Sequence, residues 1–207
     1  MPKKLNIYFI LIALVFNGLF VTTLLAQEKQ EVVVTIDEIP CHITNPDFLK
    51  GEEFRKQYKF IKAIAEYEKV ISSDEPESIK AEVLYHIGIC YTWLGKVDEA
   101  ESVFKGIVQT YSDNGKVVAY SNYCLSWVDI QRLKLQDAID RLEWTLDENL
   151  CSEEEFCSHA QFQIGRIYQS YMHDYAKAEE AFKKVLEKYP NSKITSHSFF
   201  NKIKAVK

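Results

Sequence analysis

The sequence predicts an all-α protein, a superhelix of about four helix pairs closed by a C-terminal capping helix. Three observations carry that prediction. A phrase of small residue, aromatic, alanine and bulky apolar residue recurs, most clearly as Gly88, Tyr91, Gly95, Ala100, Phe104 and again as Gly165, Tyr168, Ala178, Phe182. Only 7 glycines and 5 prolines interrupt 207 residues, which leaves room for long helices. Apolar and charged shares of 47% and 27% belong to a folded chain rather than a disordered one. A self-similar unit of this length cannot bury its apolar face alone and must stack on copies of itself.

In chain order, the first element is a leader. Lys3 and Lys4 precede a nearly unbroken apolar run from Leu5 to Leu25, and Ala26 opens onto Gln27-Glu28-Lys29-Gln30. A charged start, an apolar middle and a small residue at the exit describe a signal peptide over residues 1–26. The same run, at roughly 20 residues, also suits a retained membrane anchor over residues 5–25, although Asn17-Gly18 interrupts it. Either reading exports the bulk of the chain, as a periplasmic or secreted domain or as one held at the membrane. Cleavage after Ala26 removes two lysines and no acid, taking the formal charge from −5 to −7. An acidic domain without a basic stripe argues against nucleic acid and anionic lipid as partners. Membrane contact is then left to an uncleaved leader.

Residues 27–43 lack helical periodicity and form a non-helical arm. Glu31-Val32-Val33-Val34-Thr35-Ile36 is either a mobile connection or a short edge strand, ended by Pro40. Helical pattern begins at Asn45-Pro46-Asp47, where Asn or Asp caps and Pro suits the first turn. Aligned on the repeated alanine, the units carry Ala63, Ala100, Ala138 and Ala178, spaced by 37, 38 and 40 residues. One helical turn later stand Tyr67, Phe104, Leu142 and Phe182, so alanine and large residue share a face of each second helix. Each first helix carries a small residue (Gly51, Gly88, Ser126, Gly165) and, three positions on, Phe54, Tyr91, Asp129 or Tyr168. Glycine inside a helix costs about 1 kcal/mol relative to alanine, so its recurrence implies close packing against the paired helix.

These residues resemble the tetratricopeptide repeat family, whose helix–turn–helix unit carries Leu-Gly-x-x-Tyr in its first helix and Ala-x-x-x-Phe-x-x-Ala, then Pro, around its second. The match is fullest over 81–114 (Leu84, Ile87, Gly88, Tyr91, Gly95, Ala100, Phe104, Tyr111). It is also strong over 158–192 (Ile164, Gly165, Tyr168, Ala178, Phe182, Tyr189, Pro190), with one extra residue near His173-Asp174. Residues 44–77 match fairly, and 119–152 is degenerate at Ser126 and Asp129. The resemblance implies a right-handed superhelix of nine helices, the last a cap over 195–207 in which Phe199 keeps the register of Phe162. It also implies that first helices line a concave groove where a protein or peptide is held.

Position five of those helices is Phe48, Tyr85, Tyr123 and Phe162, a ladder of rigid aromatics suited to anchoring a partner or to forming the core. Groove positions include Arg55, Trp93, Trp127 and Arg166, together with Glu52, Lys56, Ile89, Thr92, Gln131 and Gln169. They do not match the two-carboxylate clamp of chaperone-binding members. Cys151 and Cys157 straddle the connection between the third and fourth units, and a bridge there would add about 2 kcal/mol in an oxidising compartment. Cys90 and Cys124 fall inside first helices, and Cys41 is left over. Histidines are scattered singly, and no nucleophile elbow, phosphate loop or zinc spacing occurs, so no catalytic residue, cofactor or metal is expected. The expected function is an exported interaction scaffold in a cell-envelope assembly. A self-associating structural protein, or a non-catalytic subunit of an envelope enzyme complex, is the alternative.

Overall fold

The computed structural model describes residues 43–147, 151, 153–196 and 200. All of them fall in one unit, Pro40–Lys207. The leader, the arm up to residue 42 and most of the capping segment lie outside the described residues. Among those described are eight α-helices in four antiparallel pairs: α1 (Pro46–Lys56) with α2 (Phe60–Ile71), α3 (Glu77–Trp93) with α4 (Val97–Thr110), α5 (Gly115–Gln131) with α6 (Leu135–Thr145), and α7 (Glu154–Ile167) with α8 (Tyr175–Lys188). Each helix packs on its neighbours in sequence, and α3 also touches α5. The chain is an α-α superhelix of helix pairs.

The two helices of a pair play different parts. The second helices are one-sided, and α2 buries Ala63, Ile64, Tyr67 and Val70 at helical spacing. The later first helices are buried on several sides, with twelve of seventeen residues covered in α5 and eleven of fourteen in α7, whereas α1 buries Phe48 and Gly51. First helices therefore form the inner layer and second helices the outer one. α3, α5 and α7 start at Glu77, Gly115 and Glu154, about one turn before the sequence units at 81, 119 and 158. That extra turn meets the far end of its own pair's second helix. The Tyr111 hydroxyl donates to Glu77 (3.1 Å), and Glu154 and Glu155 accept the backbone N–H groups of Asn191 and Lys193 (2.8 Å each).

In the first, second and fourth pairs, the aromatic of the second helix packs directly against the glycine of the first. A Cβ added to Gly88 would fall 2.6 Å from Cε1 of Phe104, and one at Gly51 or Gly165 would overlap Tyr67 or Phe182 in the same way. The third pair keeps the contact with different residues. Its second helix presents Leu142, fully buried, and the smaller side chain leaves room for the Ser126 Cβ. The Ser126 hydroxyl is satisfied by the Tyr123 carbonyl at 2.6 Å. The degenerate unit is thus a compensated pair.

All four intra-pair turns close alike. The backbone N–H groups of Lys59, Lys96, Lys134 and Asp174 donate to the carbonyls of Phe54, Tyr91, Asp129 and Tyr168, each at 2.9 Å. A left-handed residue precedes each donor: Tyr58, Gly95, Leu133 and His173, with φ of 58°, 70°, 58° and 56°. Glycine suits this conformation best, and the other three accept it because the turn bond over-determines it. The extra residue of the fourth unit is absorbed just before its turn, in a π-helical segment over Tyr168–Met172. The bond there spans one residue more, and Ala178 and Phe182 keep their face.

At the C-terminal end, Lys193–Ser196 is a 3-10 turn. Beyond it Phe200 is fully buried, its ring 5.6 Å from Phe162 and 6.2 Å from Phe182. Phe199, the residue expected in register, lies outside the described residues, as does the rest of the cap.

The glycine–aromatic contact yields a double-mutant test. Gly88→Ala should destabilise by about 1–3 kcal/mol despite alanine's better helix propensity, because Phe104 cannot withdraw from a filled core. Gly88→Ala combined with Phe104→Leu should recover about 1 kcal/mol or more relative to additivity, as urea unfolding of the four variants will measure.

Candidate partner-binding surface

The position-five ladder is core. Phe48, Tyr85, Tyr123 and Phe162 are at most 6% exposed. Phe48 packs on Tyr67 (5.6 Å between centroids), Tyr85 on Phe104 and Tyr120 (5.9 Å each), Tyr123 on Phe156 (5.8 Å) and Phe162 on Phe182 (5.4 Å). The expectation that these rings grip a partner is corrected on this ground. Each is enclosed by the aromatic of its own second helix or by a ring of an adjoining unit.

Arg55 is also engaged inside the molecule. Its Nε and Nη2 donate to the two oxygens of Glu52 at 2.9 and 2.8 Å. The same carboxylate accepts from the Tyr67 hydroxyl on α2 and lies 3.1 Å from Nδ1 of the buried His86 on α3. Glu52 thereby ties the first pair to the second. Burial alone would raise its pKa, but hydrogen bonds from His86, Arg55 and Tyr67 outweigh burial and hold the carboxyl well below the usual carboxylate range. Tyr67 moves the other way, pushed up by burial and by the Glu52 charge.

Trp93 is half-buried and stacks on Phe60 at 6.1 Å with 6° between planes, and Tyr58 meets the other partner of that stack edge-on at 6.1 Å. It joins the second pair to the start of α2 at the turn edge rather than standing open in a groove. Asp129, in the irregular unit, takes the place of an aromatic covered by a lysine in the other three, as Lys62 lies over Phe54 and Lys96 over Tyr91. Here Arg141 of α6 donates to Asp129 at 2.6 Å and to Asn122 at 3.1 Å. A cation still covers the position, now through an ion pair.

Trp127 and Arg166 remain. They follow Ser126 and Gly165 and so occupy the same register position on successive first helices, α5 and α7. Trp127 is half-buried, and no aromatic ring among the described residues packs on it. Arg166 is 6% exposed, its Nε is sealed from solvent without a hydrogen-bond partner, and no carboxylate among the described residues pairs with it. On the same helix face lie Gln163 and Ser170, whose Oε1 and Oγ are likewise buried and unpartnered. Sequence reasoning found Trp127 and Arg166 from their register. It missed Gln163 and Ser170, which carry no pattern, and it missed the Glu52–His86 tie, which joins two units.

The structure joins Cys151 and Cys157 in a disulfide, with Cα atoms 5.7 Å apart, immediately before and inside the first turn of α7. Among the described residues no cluster of three or more His, Cys, Asp or Glu side chains is placed to hold a metal, and no helix is long and apolar enough to cross a membrane.

A stack of helix pairs with a covered aromatic core and polar groups left open on its inner layer defines a helical-repeat scaffold, a class that works by presenting a surface. The family model for the tetratricopeptide repeat matches residues 82–114 and 159–192, the two regular units. The chain carries two tetratricopeptide repeats within a fold of the same kind. Among solved structures it is similar to MamA, at 27% identity and a TM-score of 0.52, over 68% of this chain and 74% of that one. BtubC from P. vanneervenii shares the fold at 18% identity and a TM-score of 0.59, covering 76% and 69% of the two chains. So do TPR-like repeats of a putative kinesin light chain from Podosopora anserina, at 16% identity and a TM-score of 0.56 over 75% and 82%. Comparison with curated proteins finds no match. Family and fold together support protein interaction as the general role.

The Glu52 tie makes stability depend on pH with a defined sign. Its folded pKa is depressed, so its contribution is complete above the ordinary value near 4.5 and declines as pH falls through the acid range. Glu52→Gln should cost about 2 kcal/mol at pH 7. The gap between parent and variant should narrow between pH 5 and pH 3, which urea titrations at each pH will show.

Proposed function

We propose that the chain is an exported scaffold that binds a protein partner on the inner layer of its superhelix, around Trp127 and Arg166, in a cell-envelope assembly. The observation that carries the reading is that, among the described residues, a tryptophan with no ring on it and an arginine with no carboxylate share one register position, in a fold whose aromatic ladder, Arg55 and Trp93 are used internally. Tryptophan and arginine are the side chains that most often dominate interface energetics. Export is supported by the leader pattern of residues 1–26 and by the Cys151–Cys157 bridge, since disulfides persist in oxidising compartments. A non-catalytic role is in keeping with a helical-repeat fold.

A photoreactive residue at position 127 should crosslink a discrete protein in the native cell, while the same residue at the exposed Glu187 of α8 should not. Equal crosslinking from both positions would remove the inner-layer reading, and a product containing two copies of this chain would favour self-association. Non-reducing peptide mapping of protein isolated from its cell should recover the Cys151–Cys157 bridge. Two free thiols there would count against an oxidising compartment.

A further inference from the structure

We infer that Arg166 is the receptor for a carboxylate carried on a peptide segment of the partner, an inference that rests on the scaffold reading above. The chain has four arginines. Three of them meet carboxylates: Arg55 meets Glu52, Arg132 meets Asp98 and Glu101, and Arg141 meets Asp129. Arg166 is the most buried of the four, and among the described residues it meets none. A buried guanidinium without an anion is among the costliest groups a fold can hold. Its Nε is sealed and without a partner, which leaves the two terminal nitrogens of the fork to meet a ligand.

The neighbouring polar groups specify the ligand further. Gln163, three residues before Arg166, and Ser170, four after, lie on the same face. Gln163 Oε1 lacks a donor, Arg166 lacks an acceptor, and the Ser170 hydroxyl accepts either. Unused donor and acceptor side by side suit a peptide unit bearing a carboxylate, with N–H and O⁻ together, better than a bare ion. The single positive charge, set among the neutral Gln163, Ser170 and Tyr123, matches a monoanion, and the planar fork of arginine fits a carboxylate bidentately. Burial pushes the Tyr123 hydroxyl up while the Arg166 charge opposes it, which places Tyr123 of α5 within electrostatic reach of the guanidinium.

The test uses the exported chain labelled with ¹⁵N-arginine, with the Arg166 Nε–Hε resonance assigned by its loss in Arg166→Lys. Four probes separate the sources: N-acetyl-glutamate N-methylamide (side-chain carboxylate), N-acetyl-glutamine (chain-terminal carboxylate), the neutral N-acetyl-glutamine N-methylamide, and acetate. A saturable shift with either peptide-like carboxylate, and none with the neutral amide, supports the inference and tells an internal acidic residue from a chain end. No shift with any probe at tens of millimolar overturns it, as does an acetate shift equal to the peptide-like ones. Arg166→Gln provides a second readout. Its Tm should equal or exceed that of the parent, because an unpaired buried cation has been removed, and probe-induced shifts of the Gln163 and Ser170 amides should vanish. A lower Tm with those amide shifts retained would mark Arg166 as structural. Should the probes fail while crosslinking from position 127 persists, the carboxylate inference falls and the scaffold reading stands.

Discussion

The contact on which the rest of this structure depends is an aromatic ring laid against a helix that has no side chain in its way. In the first, second and fourth pairs, glycine removes the Cβ that would collide with Tyr67, Phe104 or Phe182. That closeness sets the distance between the two helices of a pair, and so where the next pair must sit. It also explains why the same helices tolerate glycine, whose cost of about 1 kcal/mol is offset by burial of a large ring. The third pair shows that the requirement is on summed volume rather than residue identity. Serine replaces glycine only where leucine replaces the aromatic.

Holding that contact constrains the chain around it. The extra residue of the fourth unit lies between its glycine and its aromatic, where an unabsorbed insertion would rotate Phe182 off its partner. The π-helical segment over Tyr168–Met172 takes up the residue before the turn, and the same turn geometry follows. The left-handed positions obey a similar logic. Tyr58, Leu133 and His173 sit where glycine would be least strained, yet each turn is closed by the same backbone bond as the turn containing Gly95. Backbone geometry is thus common to the four pairs even where side-chain chemistry differs.

Much of this was legible in the sequence because it rests on spacing. The alanine and aromatic positions mark the one-sided face of the second helices, and the capping pair Asn45-Pro46 marks the start of α1, where Asn45 Oδ1 accepts from Asp47 at 2.9 Å. Spacing does not report accessibility, so the ladder Phe48, Tyr85, Tyr123 and Phe162 read equally well as groove or as core, and the packing of adjoining units decides for core. Nor does spacing report compensation. Asp129 looked like a lost aromatic, but its partner Arg141 sits twelve residues on in another helix, and the Glu52–His86 tie joins two units. Polar contacts that cross between helices have no period, so a periodic reading passes over them.

That difference gives the inner layer its character. Several polar side chains that tie helices together find partners: Glu52 three neighbours, Asp129 the guanidinium of Arg141, and Glu154 and the Oε2 of Glu155 backbone donors. Against that background an unsatisfied cluster is informative, because among the described residues Arg55, Arg132 and Arg141 meet carboxylates and Arg166 meets none. A charge left unpaired inside a stable stack lowers stability in the free protein and is recovered only when an anion arrives. Differential stabilisation of the occupied state is what makes such a group selective, since a neutral ligand would leave the guanidinium buried and unmet. On the proposed reading the helix pairs supply rigidity, and a cation that meets no internal anion among the described residues gives the surface its chemical preference.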